Sequence, residues 1–505
     1  MTFIEKLETQ IEERGNVSVT ENAGLGYKTT GKKLVDMTFK ISSYRGADKK
    51  TILADFDAAF AKTPELAVRW LFYVRDARQG LGERSLFRVI MENRFAKDEK
   101  FALLFPLVPE YGRWDDLVAI ALRNTAVFDI IKNQFTKDRD DAKNGSPITL
   151  LAKWLPSVNS SSAKTQTLGK IFAKKLGLSC KDYRKCLSAL RAHLNVIEVK
   201  MSANKWDAIS YEAVPSKANV LYRNAFLKHD ETRRKDFLER LKSGKTKINS
   251  AVNFPHDIVH QYYMAVRFNT KETDEKVDAA LEELWKALPE YSIENTIVVA
   301  DGSGSMYGNN LNGTGIMSIE IANALAVYYA ERGKGEFKNK YITFSETPKL
   351  VDLSHCETLL AKLYEAAKHN EVANTNIEAV FDLLLDTACA NNMKQEELPA
   401  NVLVISDMEF DYCVSSNSEH SINEKIFTVI KNRWNEKGYK LPRLVFWNVC
   451  SRTGTIPVKE NELGAALVSG FSPNVTRMIM SGKLDPFEAL CDVLNSERYS
   501  KIIYG

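Results

Sequence analysis

Apolar residues recur with two different periods along this chain, and the change falls near residue 290. In the first part they stand three and four apart, which puts them on one face of an α-helix. Leu66, Trp70, Leu71 and Val74 in TPELAVRWLFYVRDARQ form one such set. QGLGER interrupts with two glycines, and SLFRVIMENRF resumes the helical spacing. FALLFPLVPEYGRWDDLVAIAL and YRKCLSALRAHLNVIEVKM continue it. Successive amphipathic helices with short breaks predict stacked helical pairs, although no clean repeat fixes a regular solenoid. Loops are expected at 143–147, 158–167 and 242–257, and the last helical stretch ends at Pro289.

Beyond that point short apolar runs alternate with helical ones. TIVVA (296–300), YITFS (341–345), NVLVIS (401–406), RLVFWNV (443–449) and AALVSG (465–470) are too short and too continuously apolar for surface helices. Between them lie SIEIANALAVYYAERG, ETLLAKLYEAAKH, NIEAVFDLLLDTACA and INEKIFTVIKNRWNEKG, which carry helical periodicity. This alternation predicts a mostly parallel sheet covered on both faces. The expected organisation is therefore an all-α region over 1–290 and an α/β, Rossmann-like domain over 291–505. Sheets of this kind bind ligands beyond the carboxyl ends of their strands.

Candidate chemistry sits at those strand ends. TIVVADGSGSM places Asp301, Ser303 and Ser305 just after the first strand. Alternate residues of an extended turn project to one side, so a carboxylate and two hydroxyls can converge. Thr375 in EVANTNIEAVF stands just before a helix, and Asp407 in NVLVISDMEFD ends a buried strand. With parallel strands all three loops fall on one edge of the sheet. The five donors are all oxygen, which favours Mg²⁺, with Mn²⁺ or Ca²⁺ next, over zinc. Two competing motifs fit less well. Gly302, Gly304 and Gly308 do not have the G-x-G-x-x-G spacing of a dinucleotide loop, and Glu346 lies far beyond the ribose-acid offset. Ser303 lacks the glycine that a nucleophile elbow needs at position 301. His256 and His260 in PHDIVHQ have zinc-protease spacing, but Asp257 replaces the expected Glu and no third ligand is apparent.

Composition changes the picture in one respect. The net charge is +4, yet residues 143–250 carry 22 Lys and Arg against 8 Asp and Glu, which leaves the rest of the chain at −10. A basic block in an otherwise acidic chain suggests a polyanion partner. Lys170, Lys174, Arg184, Arg191, Lys200, Lys205, Lys217 and Arg223 are the candidate phosphate contacts, chosen on charge density. Trp154, Tyr183, Trp206, Tyr211 and Tyr222 lie in the same block and are candidate stacking surfaces or core packing. Arg75, Arg78 and Arg84 flank the glycine break, either facing a cavity or forming ion pairs with Asp76 and Glu83. The seven scattered cysteines show no C-x-x-C spacing, and there is no secretory signal and no long apolar span. A cytoplasmic, membrane-free location with reduced thiols is expected.

LFYVRDARQGLGERSLFRVIM (71–91), PEYGRWDDLVAI (109–120), NKWDAISYEAVPSKANVLYRNAFLKHD (204–230) and ALVSGFSPNVTRMIM (466–480) are distinctive. With VVADGSGSM and VISDMEFD they resemble a family that joins a TROVE-like helical region to a von Willebrand factor A-like domain. The resemblance spans nearly the whole chain. Through its arrangement it extends, more distantly, to the Ro autoantigen RNA-binding proteins. It implies HEAT-like helical repeats closed into a ring, and a metal-ion-dependent adhesion site on the A-like domain. In that site the two serines ligate directly, Thr375 and Asp407 act directly or through water, and a partner's Asp or Glu completes the shell. It also implies RNA, structured or misfolded, as the partner of the basic region, and no catalysis. The alternative is a metal-dependent protein-interaction scaffold without an RNA role.

Overall fold

The computed structural model describes residues 3–268, 277–308, 315–411, 425–459, 464–480 and 483–505. They form two compact units. The first comprises 1–70, 79–81 and 250–501, and the second comprises 71–78, 82–249 and 502–505.

The first unit is built on a six-stranded sheet. Near the N-terminus β1 (Ser18–Val19) and β2 (Leu25–Gly26) form a small antiparallel hairpin. The main sheet contains β3 (Thr296–Asp301), β4 (Lys340–Phe344), β5 (Lys349–Asp352), β6 (Asn401–Ser406), β7 (Arg443–Asn448) and β8 (Ala465–Ser469). Their order is β5-β4-β3-β6-β7-β8, and every pairing is parallel except β4 with β5. All residues of β3 and β8 are buried, as are all but the first of β6 and β7. Burial on both faces is why these strands read as continuous apolar runs rather than alternating ones. β5 is the exception. Its alternating exposure marks an edge strand, and its sequence gave no strand signal of its own.

The division of the chain differs from the expected boundary at 290/291. A sheet buried on both sides needs cover, and part of it comes from the first 70 residues and from 250–290. Helix Pro255–Phe268 packs on helix Ser318–Arg332, and His260 Nδ1 lies 2.6 Å from Glu320 Oε2 across that contact. Helix Lys33–Phe39 packs at β8. There Asn448 Nδ2 donates to Phe39 O at 2.8 Å, and the Ser42 and Ser469 hydroxyls lie 2.7 Å apart. His256 is buried against the Phe471 ring, with centroids 5.3 Å apart. Both histidines of PHDIVHQ thus make packing contacts within this unit. The six described cysteines carry no disulfide, and Cys413 lies outside the described residues. No helix among the described residues is long and apolar enough to cross a membrane.

The second unit is helical throughout. Its longest helix is Thr125–Lys143, which Asn124 caps by accepting from Val127 N at 3.1 Å. Pro106 and Pro109 break the expected 101–122 helix into a 3₁₀ stretch, Glu99–Leu107, and short helices at Val108–Tyr111 and Trp114–Ile120. Helix Ala163–Lys175 begins inside the predicted 158–167 loop, capped by Ser162. A buried ionic cluster sits at the centre. Asp116 accepts from Arg75 Nε at 2.8 Å, Arg88 Nε at 2.7 Å and Arg113 N at 3.0 Å. Arg75 and Asp116 are each 2% exposed, so Arg75 is a core cation and faces no cavity. Arg84 lies 3.7 Å from Asp115, and Arg78 donates to Glu110 O at 3.5 Å. Arg75 thus pairs with Asp116, and Arg84 faces Asp115.

Removing one member of a buried ion pair leaves an uncompensated charge, at a cost of about 3 to 5 kcal/mol. Asp116→Ala is expected to lower the denaturant midpoint of the helical unit by a large step, read by circular dichroism of the full chain. Leu103→Ala, at a 71% exposed position of the same unit, should leave it unchanged.

Candidate metal centre

The loops that follow β3 and β6 meet, at the carboxyl edge of the sheet, the loop that joins helix Leu359–Lys368 to helix Ile377–Ala390. Asp301 ends β3 and is 1% exposed. Its Oδ1 accepts from Ser303 N at 2.9 Å, and its Oδ2 accepts from Ser406 Oγ at 2.6 Å. The Ser303 and Ser305 hydroxyls are 3.1 Å apart. Ser406 is the last residue of β6, so its bond to Asp301 ties the two strand ends together and brings Asp407 alongside. The Ser305 hydroxyl bonds to the Asp407 carboxylate.

The third loop closes on the first. Gly304 N donates to Ala373 O at 3.4 Å, and Asn376 N donates to Ser345 O at 2.8 Å. Thr375, 1% exposed, lies between those anchors, and its carbonyl accepts from Asp411 N at 3.0 Å. The structure thus brings Asp301, Ser303, Ser305, Thr375 and Asp407 to one rim. The glycines of DGSGS have a steric role. A Cβ at Gly302 would stand 2.9 Å from Thr343 Oγ1, and one at Gly304 would stand 3.0 Å from Val372 Cγ1. They permit close loop packing, and nothing about them requires a nucleotide.

The electrostatics are unbalanced. Burial pushes the Asp301 carboxyl above its ordinary range. Burial, together with the Asp301 charge, pushes Asp407 up to about 7. Asp411, half-buried nearby, is pushed up to about 6 for the same two reasons. Arg452 Nη2 brings a positive charge to within 3.3 Å of Asp407 Oδ2. Met408 adopts a φ of +64°, a left-handed conformation costing a non-glycine residue on the order of 1 kcal/mol or more. It separates Asp407 from Glu409 in the chain.

Sequence reasoning missed Glu409, Arg452 and the β1–β2 hairpin. Glu409 is fully buried, and its carboxylate accepts from Arg452 N at 2.7 Å, Thr453 N at 2.9 Å, Ser451 Oγ at 3.0 Å and Glu21 N at 2.8 Å. Asn22 Nδ2 reaches Glu409 O at 2.7 Å and Thr375 Oγ1 at 3.4 Å. The only local signal was an acid two residues after Asp407.

In the helical unit the basic candidates divide. Lys170, Lys174, Arg184, Lys205 and Lys217 are exposed. Arg191 is committed to its own unit. It donates to Ala152 O at 2.8 Å, Leu155 O at 2.7 Å and Ser157 Oγ at 2.7 Å, so its guanidinium is a structural tie rather than a free phosphate contact. Lys200 Nζ donates to Ala208 O at 2.5 Å, and Arg223 Nη1 donates to Val220 O at 3.0 Å. Tyr183 and Tyr211 are core residues. Trp154 has Arg113 over its ring at 5.0 Å, and the Tyr222 hydroxyl donates to Glu198 at 3.4 Å. Trp206 stacks on exposed His229, with centroids 4.5 Å apart and planes 5° from parallel.

The unfolded Asp407 carboxyl titrates near 3.8 and the folded one near 7, so between those values the folded state retains a proton that the unfolded chain has lost. Stability of the chelator-treated protein therefore falls as pH rises through that window. Asp407→Asn removes the charge at every pH. In chelator at pH 8 it should melt above the parent, and by pH 4 that advantage should vanish. A melting difference that does not change with pH contradicts the assignment.

Residues 295–500 match the family described as "Domain of unknown function (DUF7788)", and residues 125–291 match "Domain of unknown function (DUF2828)". The five rim residues fall inside the first match and the eight basic candidates inside the second. The chain is also similar to "Uncharacterized protein L728" of Acanthamoeba polyphaga mimivirus. Identity is 28% over 520 residues, covering 95% of this chain and 87% of that protein.

Proposed function

We propose that the α/β unit is a von Willebrand A-like binding module that holds a divalent cation at an adhesion-type site and captures a partner's carboxylate through it. The observation that carries this reading is the convergence of two buried carboxylates and three hydroxyls from three loops at one sheet edge. The donor set fits the ion. Asp301 and Asp407 supply charge, Ser303 and Ser305 supply hard neutral oxygen, and Thr375 adds a third hydroxyl, leaving room for water or a partner oxygen. Burying two like charges together is costly, and Mg²⁺ or Mn²⁺ would neutralise both. Val372, 76% exposed at the rim beside Gly304, offers an apolar foothold for whatever approaches.

A second activity in the helical unit is favoured by its exposed charge. Lys170, Lys174, Arg184, Lys205 and Lys217 stand in a block of net charge +14, and the Trp206–His229 stack lies in the same block. This is the combination that binds single-stranded or structured RNA with little sequence preference. In this reading the chain is a Ro-like, non-enzymatic RNA-binding protein of the ring type, with HEAT-like helices gripping RNA and the A-like module engaging a protein.

Two assays separate these activities. Calorimetric titration of the full chain with Mn²⁺ should give one site that Asp301→Ala abolishes, with RNA affinity intact. The triple variant Lys170→Ala, Lys174→Ala, Arg184→Ala should bind RNA more weakly and flatten the salt dependence by about 2 in slope. An unchanged salt slope would remove the RNA role and leave the metal-dependent scaffold.

A further inference from the structure

The charge next to Asp407 comes from a loop that is itself tied to the N-terminal hairpin. Glu409 accepts from the backbone of Arg452 and Thr453 on one side and from the backbone of Glu21 on the other. This buried carboxylate pins both segments in place. The hairpin is further fixed by Thr20 Oγ1 donating to Phe410 O at 2.5 Å and by the paired bonds between Tyr27 and Ile456, at 2.8 and 2.9 Å. A Cβ at Gly24 would stand 2.5 Å from Phe410 O, so the hairpin backbone lies hard against the β6 loop. What remains adjustable is the side chains at its tip.

Arg452 Nη2 lies between two carboxylates. It is 3.3 Å from Asp407 Oδ2, which is fully buried, and 2.5 Å from Glu21 Oε2, whose side chain is 53% exposed. The side chain is one-third exposed, and the two carboxylates are what hold its guanidinium. One nitrogen therefore bridges the buried acid and the exposed one, and it lies nearer the exposed one. A divalent ion bound to Asp407 would repel a guanidinium in contact with the same carboxylate, and the seat left to it is Glu21.

We propose that Arg452 is a built-in competitor of the divalent cation at Asp407, and that Glu21 on the N-terminal hairpin is the seat to which it withdraws when the ion binds. This rests on the reading of the rim as a divalent-cation site. It makes the hairpin tip part of that site. Loading the ion requires the Arg452–Asp407 contact to be given up while the Arg452–Glu21 contact is kept, and any partner that takes Glu21 away leaves Arg452 on Asp407 alone and weakens the ion.

The test is titration of the full-length protein with Mn²⁺ alone at pH 7.5, followed by calorimetry and by the loss of the free-ion electron paramagnetic resonance signal. Arg452→Gln should tighten Mn²⁺ by about ten-fold, the scale on which one nearby charge shifts a carboxylate equilibrium. Arg452→Lys, which keeps the charge, should stay closer to the parent. Glu21→Gln should weaken Mn²⁺ several-fold, and this effect should disappear in the Arg452→Gln background, because the two residues act through one contact. If the parent binds Mn²⁺ and Asp301→Ala does not, but Arg452→Gln is equal to or weaker than the parent with an unchanged melting curve, the competitor role is overturned. If Glu21→Gln has the same effect with and without Arg452, the seat is overturned. A parent that binds no Mn²⁺ sinks the metal reading itself, and with it this inference.

Discussion

Two carboxylates buried side by side at the end of a parallel sheet set the terms for the α/β unit. Asp301 and Asp407 sit at the ends of adjacent strands, both nearly inaccessible, with Ser406 bridging the strands by its bond to Asp301. Such an arrangement is unfavourable without compensation, because each charge is desolvated and each repels the other. The chain meets part of that cost with hydroxyl and backbone donors and with the Arg452 guanidinium. In the proposed reading, a divalent ion would relieve the remaining imbalance. Close packing at Gly302 and Gly304 and the left-handed turn at Met408 serve the same end, since they bring three loops within reach of one point.

The second dependence is on cover. The helices between the strands are joined here by the N-terminal segment, whose helix Lys33–Phe39 packs on β8, and by helix Pro255–Phe268, which packs on helix Ser318–Arg332. This has a functional consequence. The segment that reaches the sheet from the N-terminus also delivers Glu21 and Asn22 to the rim, where they touch Arg452 and Thr375. Cover and site are thus built from the same stretch of chain.

Much of this was legible in the sequence, and the reasons for success and failure are physical. Buried parallel strands must be apolar throughout, so β3, β4, β6, β7 and β8 announced themselves within a residue or two at each end. Alternation with helices implies parallel strands, which sufficed to place the Asp301 and Asp407 loops on one edge; the Thr375 loop, read as a strand end, joins two helices and reaches the same edge by packing on the first loop. Edge strand β5 was silent because only one face of it is buried. Glu409, Arg452 and Glu21 were silent because their roles are made by contacts between residues 43 and 388 positions apart, which no local pattern encodes. Charge density located the basic block but could not separate exposed Lys170 and Arg184 from Arg191, whose fork is turned onto backbone carbonyls. The glycine break near residue 80 was seen, but the burial of Arg75 against Asp116, forty-one residues away, was not.

The most direct measurement is the anomalous difference map of full-length crystals grown with Mn²⁺. A single strong peak within coordinating distance of Asp301, Ser303 and Ser305, with Thr375 and Asp407 around it, is the expected result. A peak elsewhere, or none at this rim in crystals with Mn²⁺ at saturating concentration, would contradict the assignment of these five side chains to a metal centre.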